Sequence, residues 1–266
     1  MKTVALAPLR SWLPSAAGRE IMLATPGEPL FHADWLDVVF LHYSVDPRAL
    51  QPLVPFPLDL HEGRAHVSLV AFTMQDLRPR LGGRFGALLF RPISTHPFLN
   101  VRTYVKCGDE KGIYFLAEWL PNPLSVLLGP ALFGLPYRQG ALNYENDPRH
   151  GEVRGVITDA RSRAWLRYRA ELDSAEPHQP CLAGTRDEYL TERYTAFTHF
   201  MGLRRYFRIW HPPWPLTAID AEVTDHGLLA ETGDWAQTAS YIGAHHSPGA
   251  PAVWMGRPHP SKQKPS

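Results

Sequence analysis

The stretch Leu99-Asn-Val-Arg102-Thr-Tyr104-Val-Lys106 decides how the chain is read. Asn100, Arg102, Tyr104 and Lys106 alternate with Leu99, Val101, Thr103 and Val105. Side chains on a strand repeat every two residues, so this is a β-strand with one apolar and one polar face. A guanidinium and a phenol aligned on that polar face make it a candidate binding surface. Residues 108–112, Gly-Asp-Glu-Lys-Gly, form a hairpin turn, and residues 113–120 return as the partner strand.

Working outward, residues 31–45 are rich in aromatic and β-branched residues and read as a strand. Asp46-Pro47 opens a short helix, with Asp as N-cap and Pro at the first helical position. Residues 58–60 and 65–74 are expected to be a strand pair, and residues 75–97, rich in Gly, Arg and Pro, a long loop. Residues 121–133 carry leucines at helical spacing. Strands are expected at 135–144, 152–158, 163–172, 202–210, 217–223 and 238–244, and a helix or helix-turn at 185–199. On 163–172 the Arg163, Arg167 and Arg169 face is expected to be solvated. Residues 211–216, with three prolines, are an extended connector. Many strands with short turns and few helices indicate an antiparallel barrel or sandwich. The domain reading is an N-terminal arm over 1–30, a single domain over 31–258 and a flexible tail over 259–266.

Charge excludes more than it selects. The net charge is +1, with 27 basic and 26 acidic residues in 266. Bulk electrostatics therefore directs the chain to neither nucleic acid nor membrane. Cys107 and Cys181 read as reduced thiols, no apolar run reaches a membrane-spanning length, and a cytoplasmic location is expected. No His-x-His, Glu-x-x-His or Cys-His spacing marks a metal site, and phosphate-loop, dinucleotide and nucleophile-elbow patterns are missing. No cofactor is expected, and self-association is left open. Adjacent His245 and His246 should point to opposite faces of their strand.

Six ordered segments carry a resemblance. They are Tyr43-Ser-Val-Asp-Pro-Arg-Ala-Leu50, Gly63-Arg-Ala-His-Val-Ser-Leu-Val70, Asn100-Val-Arg-Thr-Tyr-Val105, Leu135-Pro-Tyr137, Tyr189-Leu-Thr-Glu-Arg-Tyr194 and His211-Pro-Pro-Trp-Pro-Leu216. In that order and spacing the chain resembles the YqjF-like family of bacterial proteins, within the acetoacetate decarboxylase-like superfamily. The resemblance implies a cone-shaped, mostly antiparallel β-barrel with an internal pocket. The superfamily's decarboxylases use a Schiff-base lysine in a Pro-Lys-Lys-Leu-Gly type motif. Its counterpart here looks like Pro136-Tyr-Arg-Gln-Gly140, which puts Tyr137 at the nucleophile position and Arg138 beside it. The family's upstream acidic element would fall on Pro130, Ala131 and Leu132. Arginine cannot supply a free amine near neutral pH.

These readings converge on a small molecule, a carboxylate or keto acid, held in the lumen without Schiff-base chemistry. Arg102 would anchor it through its guanidinium fork, with Tyr104, Tyr137 and Trp214 as further contacts. Tyr137 and His211 are the candidate catalytic groups. Each has a structural alternative: a solvated or Glu118-paired Arg102, a packed Tyr137 and Trp214, a satisfied His211. Glu192 and Arg193 are either a surface pair or part of the pocket mouth. A non-catalytic scaffold or sensor with a packed lumen is the second hypothesis. A lysine-dependent decarboxylase or aldolase using Lys106 is the third.

Overall fold

The computed structural model describes residues 13–146, 151–173 and 176–261. Alternation in the opening stretch becomes the central strand of a closed ring. In chain order the strands are β1 (Phe31–Val45), β2 (Ala65–Pro79), β3 (His96–Cys107), β4 (Glu110–Leu120), β5 (Tyr137–Glu145), β6 (Glu152–Asp159) and β7 (Trp165–Glu171). They continue as β8 (Thr195–Phe200), β9 (Leu203–Trp210), β10 (Thr217–Ile219), β11 (Ala221–His226), β12 (Ser240–Met255) and β13 (His259–Pro260). The α-helices are α1 (Leu13–Ala24), α2 (Pro47–Leu50), α3 (Gly83–Phe90), α4 (Pro123–Phe133) and α5 (Arg186–Thr191).

Strands β1, β2, β3, β4, β8, β9 and β12 pair in that order, and β12 returns to β1. Neighbours in the ring are antiparallel except β4 and β8, which run parallel through Ile113 and Ala196. A second sheet, β5-β6-β7-β11, leaves the ring where the end of β4 pairs in parallel with β5. The alternating faces therefore bury against two different cores. Phe40, Val70, Phe98, Ile113 and Trp214 fill the ring. Val39, Leu41, Leu69, Val101 and Trp119 point outward and meet Ile157 and Tyr168 of the second sheet.

A bulge in β4 divides these roles. Up to Phe115 the hairpin register pairs Arg102 with Phe115 and Tyr104 with Ile113. Beyond it, Val101 pairs with Ala117 and Asn100 with Glu118, which leaves Leu116 as the extra residue. One inserted residue reverses the faces of the rest of a strand. Ala117 and Trp119 join the outer core, whereas Glu118 and Leu120 turn toward the lumen.

Several local expectations change. The N-terminal arm holds a helix, α1, whose Ser15 hydroxyl donates to His211 O at 2.8 Å and whose Ser15 O accepts from Trp210 Nε1 at 2.9 Å. The expected loop over 75–97 is instead the end of β2, helix α3 and a 3-10 turn. Pairing of Arg78 and Pro79 with β1 extends the strand past the point where polar residues begin. Residues 58–60 make only a single bridge, Leu58 to Val105. Helix α5 ends at Thr191, and Thr195 starts β8. The segment 217–223 splits at Asp220, β10 joining β12 and β11 joining β7. In the tail, His259–Pro260 pairs with β9, and His259 Nε2 lies 2.5 Å from Glu28 Oε1; residues 262–266 lie outside the described residues. The Asp46 cap is as read, its carboxylate accepting from Arg48 N–H at 2.8 Å.

Ring closure needs β8 to approach β4 closely at Gly112. A Cβ there would stand 2.4 Å from Thr195 O and 2.8 Å from the Phe197 ring. Neither a strand backbone nor a buried ring moves freely. Gly112→Ala should therefore lower the unfolding free energy by about 1–3 kcal/mol, the usual cost of overpacking. Equilibrium urea unfolding measures it; an unchanged midpoint would show that β8 is not held against β4.

Candidate functional site

Cross-strand register builds the lumen in rows. One row runs Phe40, Val70, Asn100, Glu118 and Tyr137 across β1 to β5. The next runs His42, Ser68, Arg102 and Phe115. The two rows meet different surroundings.

The row of Asn100, Glu118 and Tyr137 faces an apolar cavity of about 190 Å³. Its walls are Trp35, Phe72, Phe98 and Phe115 from the barrel, and its cover is Phe90, Ile93, Leu128 and Leu132 from α3, the following turn and α4. His96 and Ser125 also line it. The polar groups here carry unused hydrogen-bonding capacity. Glu118 Oε2 and Asn100 Oδ1 are buried and lack a hydrogen-bond partner among the described residues. Burial pushes the Glu118 carboxyl well above the usual carboxylate range, which favours the neutral acid. Burial, and then the Glu118 charge, raise the Tyr137 phenol. Burial also pulls His96 down to about 4, so it is neutral at physiological pH.

Tyr137 is held by its neighbour on α4. A Cβ on Gly129 would sit 2.2 Å from Tyr137 Cε2, so only glycine lets the helix lie on the ring. The helix is placed there by Asn122, whose carboxamide oxygen caps it by accepting from Leu124 and Ser125 N–H, and by Gly134 in the left-handed conformation at its end. Arg138 projects the other way, onto the Trp119 ring at 5.3 Å and toward Glu231 at 3.8 Å.

The row of Arg102 is filled. Arg102 Nη2 donates to Leu190 O at 3.1 Å, and Tyr104 OH donates to the same carbonyl at 2.6 Å. Since the phenol donates there, Ser68 Oγ must donate to Tyr104 at 2.5 Å, and His42 Nδ1–H to Ser68 at 2.7 Å. His42 is then left to accept at Nε2 from His245 Nδ1–H, 3.1 Å away, while His245 Nε2 faces Asp187 at 3.7 Å. Burial and neighbouring positive charge hold His42 well below its ordinary pKa, consistent with this neutral tautomer. The chain of bonds runs from Asp187 at the surface to the lumen and ties α5 to β1, β2, β3 and β12.

Around it, Arg193 pairs with Asp59 at 3.0 Å and lies over the Tyr189 ring at 4.5 Å. Glu192 accepts from Trp214 N–H at 2.9 Å and from the Tyr194 hydroxyl. Burial lifts the Glu192 carboxyl to about 7. Both residues are buried, which rules out the surface-pair reading. Trp214 stacks on Trp35 and meets Phe40 edge-on. His211 is buried against Tyr194 and Trp214, donates from Nδ1 to Pro212 O at 2.7 Å, and is held at about 4 by burial.

The structure thus places the sequence-selected residues in two groups. Tyr137 lines the cavity. Arg102, Tyr104, Trp214 and His211 lie in the filled part of the interior, off the cavity lining. Glu118 is across from Asn100, so it is not the cross-strand neighbour of Arg102. His96 and Glu118 were missed as cavity residues. For Glu118 the only local signal was the apolar pair Leu116-Ala117, which breaks the alternation where the bulge lies. His245 and His246 do diverge: His245 meets His42, and His246 meets His178 at 2.8 Å.

A closed ring with an internal cavity and a second sheet is the acetoacetate decarboxylase-like fold. An acetoacetate decarboxylase-like enzyme from Sphingomonas wittichii RW1 matches with a TM-score of 0.61 at 16% identity, covering 88% of this chain and 93% of that one. The enduracididine biosynthesis enzyme MppR, complexed with the condensation product of pyruvate and imidazole 4-carboxaldehyde, matches at 0.61 and 15% identity over 90% of each chain. Acetoacetate decarboxylase from Legionella pneumophila matches at 0.60 and 9% identity, covering 98% of this chain and 97% of that one. At such identities the likeness is one of fold. In sequence, residues 32–251 match DUF2071, described as an uncharacterized conserved protein, and the chain belongs to that family. It is 32% identical over 209 residues to the uncharacterized protein YqjF of Bacillus subtilis (strain 168), covering 75% of this chain and 83% of that protein.

Two outcomes follow from the cavity floor. Glu118 with a raised folded pKa favours the native state below the ordinary carboxyl range, and that contribution is lost as pH rises toward the folded value. Glu118→Gln cannot ionise, so its melting temperature relative to wild type should rise as the pH climbs above the ordinary carboxyl range. Comparing the two proteins at each pH cancels the titration of Glu192 and the buried histidines. A flat difference would mean that Glu118 is solvated. Gly129→Ala should destabilise the protein by about 1–3 kcal/mol although alanine favours helix, because its methyl displaces the Tyr137 ring. A neutral or stabilising effect in denaturant titrations would count against that contact.

Proposed function

We propose that the barrel binds a small, mainly apolar molecule with one neutral polar head, such as a ketone carbonyl or an undissociated carboxyl. The observation that carries this is the pair Asn100 Oδ1 and Glu118 Oε2, buried without a hydrogen-bond partner among the described residues, beside Tyr137 at the floor of an apolar cavity. Buried polar atoms in native proteins are nearly always paired, so vacant ones beside a cavity indicate a ligand's place. A neutral Glu118 donates a hydrogen bond to an oxygen acceptor. The Tyr137 hydroxyl is a second donor, and the free Asn100 Oδ1 accepts the proton of an undissociated carboxyl.

An anionic head is the less favourable occupant. The cavity lining among the described residues holds no lysine or arginine, and the guanidinium of Arg102 is committed to Leu190 O. We also infer that binding is non-covalent. Lys106 is exposed, and Lys111 is largely exposed with its ammonium 3.9 Å from Asp59. A scaffold with a packed lumen is disfavoured by the cavity itself.

Thermal shift with a medium-chain methyl ketone and the matching fatty carboxylate, at a pH where the carboxylate is ionised, tests the reading. At a hundredfold its dissociation constant a ligand adds about 2.7 kcal/mol to native stability. The ketone should stabilise and the carboxylate should not. Leu128→Trp, which fills the cavity, should abolish the shift, whereas Arg167→Ala on the exposed face of β7 should keep it. Stabilisation by the carboxylate alone, lost in Arg102→Ala, would reverse the assignment of the head group. Borohydride treatment with a keto acid should leave every lysine unlabelled.

A further inference from the structure

The cover of the cavity has a second face. Helices α3 and α4 pack inward through Phe90, Leu128 and Phe133, and Asn122 Nδ2 donates to Pro92 O at 2.6 Å to join them. Their outer surfaces are apolar as well. Leu81, Phe85, Leu88 and Leu89 are each at least 60% exposed, and Leu127 is 71% exposed. Surface helices ordinarily carry charge on the outer face; α4 has no charged residue and α3 only Arg84. The β8–β9 turn extends the patch. Gly134 at the end of α4 abuts Phe200, and beyond it Met201 and Leu203 are 84% and 56% exposed. A contiguous apolar surface of this kind marks an interaction site.

Its charge selects the partner. No acidic residue occurs between Leu77 and Gly108 or between Leu120 and Tyr144, the stretches that form this cover. Arg84 and Arg91 are exposed on it, and Arg205 follows the β8–β9 turn. A second copy of the chain fits poorly: a two-fold contact presents the same patch from both sides, so arginine would meet arginine with no carboxylate between them. An anionic bilayer meets both requirements at once. Its acyl region takes the leucines and Phe85, and its headgroups take the arginines.

We propose that this end of the barrel docks on anionic lipid bilayers, with α3 and α4 lying in the interface. The contact is peripheral: among the described residues no helix is long and apolar enough to cross a membrane. A near-zero net charge hides it, because the carboxylates that balance these arginines lie elsewhere on the chain. Docking stands independently of what the cavity holds; that the bilayer also delivers the ligand is a consequence resting on the reading above.

Sedimentation of the full chain with phosphatidylcholine vesicles, with and without phosphatidylglycerol, tests it. Wild type should bind the anionic vesicles, bind the neutral ones weakly, and lose binding as salt rises. Phe85→Asp/Leu89→Asp and Arg84→Glu/Arg91→Glu should each weaken binding by about tenfold or more while keeping the wild-type melting temperature and the ketone-induced shift. Equal binding to both vesicle types, or wild-type binding by both double variants, would overturn the proposal. So would a dimer, detected by light scattering, that these variants split in a wild type that ignores vesicles. Loss of the ketone shift with vesicle binding intact would instead refute the cavity reading alone.

Discussion

The bulge at Leu116 is the constraint on which the molecule turns. Before it, β4 pairs with β8 and closes the barrel; after it, β4 pairs with β5 and begins the second sheet. A regular hairpin carried on from the turn would place Glu118 opposite Leu99, facing outward, and would aim Trp119 into the lumen. The extra residue exchanges them. Trp119 then donates from Nε1 to Asp159 at 2.8 Å and seals the second sheet against the ring. Glu118 faces an apolar cavity, where its charge is costly. A single inserted residue therefore sets the closure of the barrel, the packing of the outer core and the chemistry of the cavity floor.

Inside the ring, satisfaction of polar groups separates a rigid half from an adaptable one. The rigid half is organised around one main-chain carbonyl, that of Leu190, which takes a guanidinium and a phenol together. Bonds through Ser68, His42 and His245 extend that anchor to four strands. Removing any member would leave a buried partner unmet, so the network resists rearrangement. The other half consists of aromatic walls under two short helices, with polar atoms that no protein group satisfies. Adaptability belongs to that half, because apolar walls repack at lower cost than a hydrogen-bonded chain.

The alternation at 99–106 is strong enough to read the strand, since period two has no competing explanation there, whereas which face turns inward is decided by the closed ring. The same holds for 163–172, where Leu166, Tyr168 and Ala170 are buried and the arginine face is not. Capping chemistry made α2 legible, and leucine spacing α4. What failed depended on distant partners. Leu190, 88 residues from Arg102, decides that the guanidinium is structural, and no local pattern in 99–106 carries that information. Residues 75–97 looked like a loop because glycine, arginine and proline dominate them; the cavity beneath gives Phe90 and Ile93 something to bury against, and that contact favours α3. The identity of the cavity residues was obscured for a similar reason: the bulge reverses faces and leaves only the apolar pair Leu116-Ala117 as its trace in the sequence.

Position 137 shows how the shared architecture bears on chemistry. Tyr137 stands beside Glu118 in parallel register and faces the cavity, whereas Arg138 turns outward onto Trp119. The residue facing inward is the one that the sequence resemblance sets against the decarboxylases' lysine. A lysine projected from that point would need its ammonium deprotonated, and an apolar cavity favours that by desolvation. The same desolvation acts on a phenol in the opposite sense: it raises the pKa and keeps the proton on oxygen. The environment that would prepare an amine for attack thus makes Tyr137 a neutral hydrogen-bond donor. Glu118, held as the acid by the same environment, is a second donor in the same row. Two neutral donors under an apolar roof are the features on which the proposed recognition of a carbonyl oxygen rests.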